Sequence, residues 1–327
     1  MKTLFLSHSP HEVHLEFAKS IGAEIKITNL NWFVKLHKKI SFVGYFYPFI
    51  SLLSSLFINI KEDILLVDGG SSLYLATFLK LRNPKIRIIY LDGDMAFYKY
   101  NINKSSAKKL QRFFFQKIDA VISISEKNKT NISRNTDVPI EIVNPYPKQI
   151  KKIKIKRKNY GLYIGRLDPD KNIKRIVQFG MQCLYFEKFI IIGEGAEKNY
   201  IKEIAKKNKK IVYLGYRNDI DKFYSQCKFF IHIPDYEPFG CTPLESALCG
   251  CFPIISKEVG VSYLFDKTFI VENPENFEEI NHKIKYILNN EKKVRNLLKK
   301  SIKKIPTKEQ AVKNFRNSFN KIIQKIK

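Results

Sequence analysis

The sequence predicts an α/β protein of two Rossmann-like domains, each with a parallel sheet covered by helices. Two observations favour this class. Short apolar runs of strand length recur along the chain, and most precede a polar turn and a helical pattern. A basic stretch, Lys148 to Lys158, follows two prolines and has the composition of an interdomain linker. The 327 residues suffice for two separate cores.

The first domain is predicted over residues 1–147, beginning with a strand, Lys2 to Ser7, and a helix, His11 to Ile21. Nothing beside His8 or His11 in the sequence would tune an imidazole, so we interpret both as loop or capping residues. Three further buried strands are predicted at 63–67, 86–91 and 120–125.

The uncharged stretch Ile40 to Ile60 leaves three interpretations open. It is nearly long enough to span a membrane, but a glycine, a proline, an asparagine and four serines make it a poor span. It could instead be a helix buried against the sheet. The third interpretation is a helix at a membrane interface, because the preceding segment contains Trp32, Phe33, Lys38 and Lys39.

The second domain is predicted over residues 148–306, and its most informative segment is His232 to Ser256. Apolar runs at 229–233 and 252–256 predict two buried strands. Between them a helix is predicted, with Thr242 as N-cap, Pro243 at the first helical position and Glu245 completing a capping box. Gly250 suits the helix end. The unit is therefore strand, loop, short helix and strand, as in a parallel sheet.

The start of this helix has the features of an anion site. A helix N-terminus approached through Gly240 offers free N–H groups and a positive dipole end, which suit a phosphate. Glu237 and Glu245 would repel a phosphate, so we interpret them as acceptors for hydroxyl groups on either side of it, on a sugar and a ribose. The alternative is that Glu245 only closes the capping box and Glu237 is a solvated loop residue.

This segment resembles the E-x7-E signature of the group 1 (family 4 type) retaining glycosyltransferases, which have the GT-B fold. The chain reads Glu237-Pro238-Phe239-Gly240, then Glu245-Ser246-Ala247, then Cys249-Gly250-Cys251-Phe252-Pro253-Ile254. Upstream, Gly165-Arg166-Leu167 followed by Lys171 is similar to the family's G-R-L-x-x-x-K-G segment, with Asn172 replacing the last glycine. The resemblance covers the second half of the chain strongly and the first half in outline.

The resemblance implies two Rossmann-like domains facing a central cleft, with the acceptor bound by the first domain and the nucleotide-sugar by the second. The C-terminal helix, residues 307–327, would cross back to the first domain. Arg166 and Lys171 would stabilise the leaving nucleoside diphosphate, while Glu237 would orient the sugar. Glu245 would hold the ribose. Further donor-binding candidates are Gly165, Tyr216, Arg217, Phe239, Gly240, Cys241 and Thr242.

In the first domain, Asp92 and Asp94 are candidates for contact with the sugar or the acceptor. They stand where the resemblance implies a His-Asp pair, although this strand end has no histidine. Asp92-Gly93-Asp94 also has the form of a metal-binding triplet. The same spacing recurs at Asp168-Pro169-Asp170 and Asp219-Ile220-Asp221, so the signal is weak and no metal is predicted.

The charge is unusual, since 58 Lys and Arg stand against 31 Asp and Glu, a formal net charge of +27. Either the composition is biased toward lysine, or the protein has an anionic partner such as a phospholipid surface, a polyprenyl phosphate or nucleic acid. Nucleic acid is disfavoured because the basic residues are spread along the chain without an aromatic-basic stacking motif.

We therefore predict a glycosyltransferase that uses a nucleotide-sugar as substrate, needs no cofactor and acts on a glycan or lipid-linked acceptor. The five cysteines lack metal-site spacing and the N-terminus lacks a signal-peptide core, which favours a cytoplasmic protein, with peripheral membrane attachment left open. Two alternatives remain. One is a nucleotide-sugar epimerase or hydrolase of the same fold, and the other is a non-catalytic basic protein that binds nucleic acid or an anionic membrane.

Overall fold

The computed structural model describes residues 1–28, 46–102 and 108–326. The chain forms two compact units, one of Met1–Pro145 with Thr307–Lys327 and the other of Tyr146–Pro306. Each unit contains a sheet with six strands among the described residues. The aromatic and basic segment with Trp32, Phe33, Lys38 and Lys39 lies outside the described residues.

The sheet of the first unit is parallel throughout, in the order β2-β1-β3-β4-β5-β6. Its strands are β1 Thr3–Ser7, β2 Glu24–Ile27, β3 Ile64–Asp68, β4 Arg87–Asp92, β5 Ala120–Ser123 and β6 Ile140–Ile142. The predicted strands of this half are confirmed, because their apolar runs are buried on both sheet faces. Parallel pairing brings the polar residues that end β1, β3, β4 and β5 to one edge of the sheet.

In the described residues before the second unit, the helices are α1 Glu12–Ser20, α2 Tyr47–Leu56, α3 Gly70–Arg82, α4 Ala96–Ile102, α5 Lys108–Phe115 and α6 Glu126–Ser133. Helix α2 lies within residues 46–60, the part of the uncharged stretch that the structure describes. It packs on α3 through a face that includes Tyr47, Ser51 and Ser55, while Phe49, Leu52, Leu53 and Leu56 are exposed. No helix in the described part of the chain has the length and apolar character needed to cross a membrane.

The second unit has a parallel sheet in the order β12-β11-β10-β7-β8-β9. Its strands are β7 Lys158–Ile164, β8 Lys188–Ile192, β9 Ile211–Tyr213, β10 Cys227–His232, β11 Phe252–Ser256 and β12 Ile270–Val271. Its helices are α7 Ile173–Gln182, α8 Lys198–Lys207, α9 Ile220–Gln226, α10 Cys241–Leu248, α11 Phe277–Asn289 and α12 Glu291–Ile302. Because β7 and β10 are neighbours, the loops at their carboxyl ends meet.

The last helix, α13 Lys308–Ile326, packs on the first unit. The ring of Phe315 stacks on that of Phe17 in α1, with centroids 4.6 Å apart. The Arg316 side chain donates to the backbone oxygen of Ser20 at 2.8 Å, and Lys325 pairs with Glu141 at 3.0 Å. The core of the first unit is thus completed by a segment from the other end of the chain.

Candidate active site in the second unit

Lys171 and Glu237 form the centre of the candidate site. Lys171 follows β7 at the end of a short 3-10 turn, Pro169–Lys171, and Glu237 lies in the loop after β10. Lys171 Nζ donates to Glu237 Oε2 at 2.7 Å, and Lys171 is only 8% exposed. The adjacency of β7 and β10 therefore brings together two residues that are 66 positions apart.

The backbone of Glu237 is held by the loop after β11. Its N–H donates to the oxygen of Glu258 at 3.1 Å, and its own oxygen accepts from the N–H of Gly260 at 2.9 Å. Burial alone would raise the pKa of Glu237, but His232 and Lys171 outweigh it and lower that pKa to about 2. Glu237 is therefore a fixed carboxylate at neutral pH.

Arg166 extends this cluster toward solvent. Its guanidinium donates to Asp168 and, at 3.0 Å, to Asp170, and its side chain is 61% exposed. Burial would lower the pKa of Arg166, but these two carboxylates raise it. Asp170 also lies 3.6 Å from Lys171 Nζ, so one carboxylate connects both predicted cations. Arg166, Lys171 and Glu237 thus belong to a single charged cluster.

The predicted start of helix α10 is wrong by two residues. The helix begins at Cys241 with Gly240 as N-cap, so Thr242 and Pro243 are the second and third helical residues. Gly240 has φ of +93°, and a Cβ there would lie 2.8 Å from Val259 Cγ1. Only glycine meets both conditions easily, and this is why the helix starts directly after it.

Glu245 does not close a capping box, so that alternative is wrong. Its carboxylate accepts from the Tyr224 hydroxyl at 3.0 Å and from the backbone N–H of Lys148. Glu245 is 5% exposed, and burial raises its pKa. The Glu245 carboxylate therefore binds the backbone at Lys148, near the start of the second unit.

The remaining donor-binding candidates fall into two places. Phe239 is buried and Cys241 and Thr242 are half-buried around the start of α10, and burial raises the pKa of the Cys241 thiol. Gly165 donates to the oxygen of Ile192 at 3.1 Å, which fixes the turn before Arg166. The other place is the loop after β9.

The loop after β9 lies at the edge of the sheet, two strands from β7. There Tyr216 is 71% exposed, and Arg217 forms two 2.8 Å hydrogen bonds with Asp219. Within the described residues, no hydrogen bond or ion pair joins Tyr216 or Arg217 to the Lys171–Glu237 cluster.

Asp92 and Asp94 lie in the first unit, where their carboxylates accept hydrogen bonds from the first turns of α3, α4 and α6. Asp92 Oδ2 accepts from Asn128 at 2.7 Å, while the buried Oδ1 has no hydrogen-bond partner among the described residues. Burial and the nearby Asp94 raise the pKa of Asp92 well above its ordinary value. Asp94 accepts from the N–H groups of Gly70 and Ala96, both at 2.8 Å.

Sequence reasoning missed three polar residues around these sites. His14 in α1 lies 2.7 Å from Asp68 and packs against Gly93, so a histidine does stand beside the Asp92–Asp94 loop. Tyr224 holds Glu245, and His232 approaches Glu237. Only His232 had a local signal, because it ends the strand that leads into the Glu237 loop. Within the described residues, no group of three or more His, Cys, Asp or Glu is arranged to hold a metal ion.

Residues 146–304 match the family "Glycosyl transferases group 1". One similar protein is the N-acetylgalactosamine-N,N'-diacetylbacillosaminyl-diphospho-undecaprenol 4-alpha-N-acetylgalactosaminyltransferase of Campylobacter jejuni, 25% identical over 62% of this chain and 60% of the relative. Another is the O-antigen chain mannosyltransferase B of Escherichia coli, 24% identical over 61% of this chain and 55% of the relative. The matched stretch spans less than two thirds of either relative.

Solved structures with a similar fold cover almost the whole chain. Anabaena HepE in complex with UDP has a TM-score of 0.73 at 15% identity, over 99% of this chain and 100% of that one. The sucrose-phosphate synthase of Thermosynechococcus elongatus has a TM-score of 0.73 at 14% identity, with the same coverage. The second unit of this protein therefore matches the group 1 glycosyltransferase family along almost its whole length, and the chain has the GT-B fold.

Proposed function

We propose that the protein is a retaining glycosyltransferase that moves a hexose from a nucleotide-sugar to a lipid-linked glycan acceptor. The observation that carries this proposal is the connected cluster of Arg166, Asp170, Lys171 and Glu237, inside the stretch that matches the family. Two cations beside a fixed carboxylate can serve a diphosphate and a sugar hydroxyl at the same time.

In the proposed reaction, the diphosphate of the donor takes Arg166 and Lys171 in exchange for part of their contacts with Asp168 and Asp170. Glu237 accepts hydrogen bonds from the sugar, and Glu245 from the ribose hydroxyls. The bond between the anomeric carbon and the phosphate oxygen breaks while the acceptor oxygen bonds to that carbon on the same face. The acceptor proton passes to the departing phosphate, so no side chain acts as nucleophile.

A thermal-shift panel of UDP, GDP, ADP and CDP, with and without magnesium, tests the donor site. We expect one nucleotide to raise the melting temperature, because ligands that bind only the folded state stabilise it. Arg166→Ala should abolish most of the rise. Lys174→Ala is the matched control, since Lys174 is a cation equally exposed at 61%, and its partners Glu197 and the ring of Tyr200 do not belong to the cluster. A rise that is equal in all three proteins, or absent from the wild type, contradicts the proposed site.

The division of roles between the two glutamates has its own test. Glu237→Gln should lower turnover of the nucleotide-sugar at least tenfold, or about 1.4 kcal/mol, while nucleotide affinity changes little. Glu245→Ala should mainly lower the affinity for the nucleotide. Equal losses of both quantities in both variants would contradict the assignment. Rapid donor breakdown without any acceptor would favour the hydrolase alternative, and the anomeric configuration of the product, read by NMR, tests retention.

The lipid-linked acceptor is supported by the relatives and by one surface of the first unit. The relatives' names describe transfer to a diphospho-undecaprenol-linked sugar and to an O-antigen chain. This surface, here called the α2–α5 surface, is formed by helices α2, α3 and α5. Helix α2 contacts α3 through the rings of Tyr47 and Tyr74, and α3 contacts α5 through the rings of Tyr74 and Phe114. Its exposed apolar residues are Phe49, Leu52, Leu53, Leu56, Phe57, Leu110 and Phe113.

The charge of helices α2, α3 and α5 favours an anionic bilayer as the partner of the α2–α5 surface. The three helices contain no acidic residue, and they carry Arg82, Lys108, Lys109 and Arg112. Lys80 of α3 is already paired with Asp119. Apolar side chains with basic neighbours are typical of helices that lie at the surface of anionic membranes. We propose that this surface attaches the enzyme to the cytoplasmic face of the membrane, where a lipid-linked acceptor would be presented.

Vesicle flotation tests this attachment. The protein should float with vesicles of phosphatidylcholine containing about a third phosphatidylglycerol and less with pure phosphatidylcholine, because each nearby cation contributes about 1 kcal/mol. Phe49→Ser with Phe57→Ser should reduce flotation. Leu184→Ser is the control, since Leu184 is 92% exposed but lies in the second unit. Flotation that is insensitive to both the lipid charge and the double variant would contradict this surface.

A further inference from the structure

His232 is a buried titratable residue that the proposed reaction does not use. It ends β10 and is only 3% exposed. Its ring is stacked near those of Tyr163 and Phe230, each with centroids 6.2 Å away. These two rings fix the plane of the imidazole, so its nitrogens have defined directions.

One of those nitrogens faces the candidate sugar-orienting carboxylate. His232 Nε2 lies 3.3 Å from Glu237 Oε2, in a contact that is angled rather than along the N–H axis. Lys171 Nζ approaches the same oxygen at 2.7 Å. Within the described residues no hydrogen bond reaches Glu237 Oε1, and this oxygen is not among the fully buried unpartnered atoms. Two cationic or N–H groups therefore hold one carboxylate oxygen and leave the other available.

The surroundings of His232 also indicate which nitrogen carries the proton. Neither ring nitrogen makes a hydrogen bond of regular geometry among the described residues, but Nε2 lies 3.3 Å from the Glu237 carboxylate, whereas no such contact is found for Nδ1. A proton there would leave an unsatisfied donor in an apolar setting, at a cost of about 1–3 kcal/mol. The neutral tautomer with the proton on Nε2 offsets part of that cost, because it directs its N–H dipole toward the Glu237 carboxylate.

We infer that His232 is a positioning residue that, with Lys171, holds Oε2 of Glu237 so that Oε1 is presented to the donor sugar. This inference rests on the proposed function and deepens it. Without the imidazole, Lys171 alone would hold the carboxylate, and the side chain could rotate about its last bond or follow the ammonium toward the diphosphate. The sugar would then be oriented less well, while the nucleotide contacts would persist.

Two variants distinguish a role of His232 in positioning Glu237 from a role in packing alone. His232→Phe keeps a flat ring against Tyr163 and Phe230 but removes the N–H, and His232→Gln restores an N–H donor. With the nucleotide that stabilises the wild type, we expect His232→Phe to keep the dissociation constant within about twofold. Its turnover of the matching nucleotide-sugar should fall about tenfold or more at saturating donor, and His232→Gln should recover most of this loss. Wild-type turnover in His232→Phe, or equal loss of affinity and turnover in both variants, would overturn the inference.

A second measurement does not depend on the donor. NMR of 13C-carboxyl-labelled glutamate, with the Glu237 signal assigned by its loss in Glu237→Gln, follows the titration of this group. The other groups near Glu237 are Lys171, Tyr163 and Cys241, and burial raises the pKa of the latter two so that both stay neutral. The Glu237 pKa should rise in His232→Phe and stay near the wild-type value in His232→Gln. An unchanged pKa in His232→Phe would reject the contact. If no nucleotide binds the wild type, the proposed function fails, and this titration still decides on His232.

Discussion

Glu237 and Asp92 show how neighbouring groups decide the charge of a buried carboxyl. Both lie at the carboxyl ends of parallel strands, and burial acts to raise the pKa of each. Glu237 faces Lys171 and His232, which reverse the effect. Asp92 faces another carboxylate, Asp94, and has only the amide of Asn128 to favour its charged form. The same residue chemistry therefore gives a carboxyl of lowered pKa in one unit and one of raised pKa in the other.

Asp92 should make the protein less stable as pH rises. Its folded pKa is raised, so the associated stability is present below the unfolded value of about 3.9 and is lost as pH climbs toward the folded pKa. Asp92→Asn stays neutral and keeps an acceptor for Asn128. We expect it to gain about 1.4 kcal/mol over the wild type for each pH unit within that window. Urea unfolding of both proteins at several pH values measures the difference.

The control for Asp92 is Asp137→Asn, because Asp137 is exposed. Its unfolding midpoint should follow that of the wild type at every pH. A constant difference between Asp92→Asn and the wild type would mean that Asp92 is ionised in the folded protein, and it would contradict the prediction.

At this scale the sequence pointed to the charged residues that the structure brings into one cluster, but not to the neighbours that shift their pKa values. Arg166, Lys171 and Glu237 stand in short local patterns whose chemistry can be interpreted directly. Tyr224 and His14 act on partners 21 and 54 positions away, and nothing beside them in the chain indicates this. Such pairs depend on strand order and register, which a single sequence does not specify.

At the scale of elements, the strands were predictable because each is an apolar run buried on both faces of a parallel sheet. The helix boundaries were harder to predict from the sequence. The residues around Thr242 satisfy a capping rule, yet the helix starts at Cys241 because Gly240 can adopt a positive φ. A second special backbone position is Asn172, which follows Lys171 with φ of +51° and ψ of +40°. It is the one non-glycine residue with positive φ in the described part of the chain.

Asn172 should tolerate glycine better than alanine. The left-handed conformation costs most residues about 1–2 kcal/mol, whereas glycine adopts it freely. Both variants lose the Asn172 amide, whose buried Nδ2 has no hydrogen-bond partner among the described residues, so their difference isolates the backbone. We expect Asn172→Ala to be about 1 kcal/mol less stable than Asn172→Gly in urea unfolding.

Asn208 offers a matched control for this comparison, since it ends α8 with an ordinary φ of −128°. There the alanine variant should be at least as stable as the glycine variant, because glycine has more conformational entropy to lose. If alanine were also the better residue at position 172, the loop before α7 would have to relax out of the left-handed region.

At the scale of the whole molecule, the first unit is discontinuous in sequence. Residues before Pro145 supply its sheet, and α13 supplies buried residues at helical spacing, Ala311, Phe315, Ser318, Phe319 and Ile322. The amphipathic pattern of this last helix is visible in the sequence, but the surface that it covers is not. Phe17, on which Phe315 stacks, lies far from it in the sequence, because all the residues of the second unit come between the two.

Phe315→Ala should therefore loosen the first unit selectively. Removing a fully buried phenylalanine typically costs about 3–5 kcal/mol, and here it also uncovers the stacked ring of Phe17. Native-state hydrogen exchange should show reduced protection of the amides in β1, β3, β4 and β5, while β7, β8, β10 and β11 keep theirs. Lys313→Ala, an exposed position on the same helix, should leave both sheets unchanged. Equal loss of protection in both sheets would mean that the units unfold together, in which case α13 stabilises the molecule as one cooperative body.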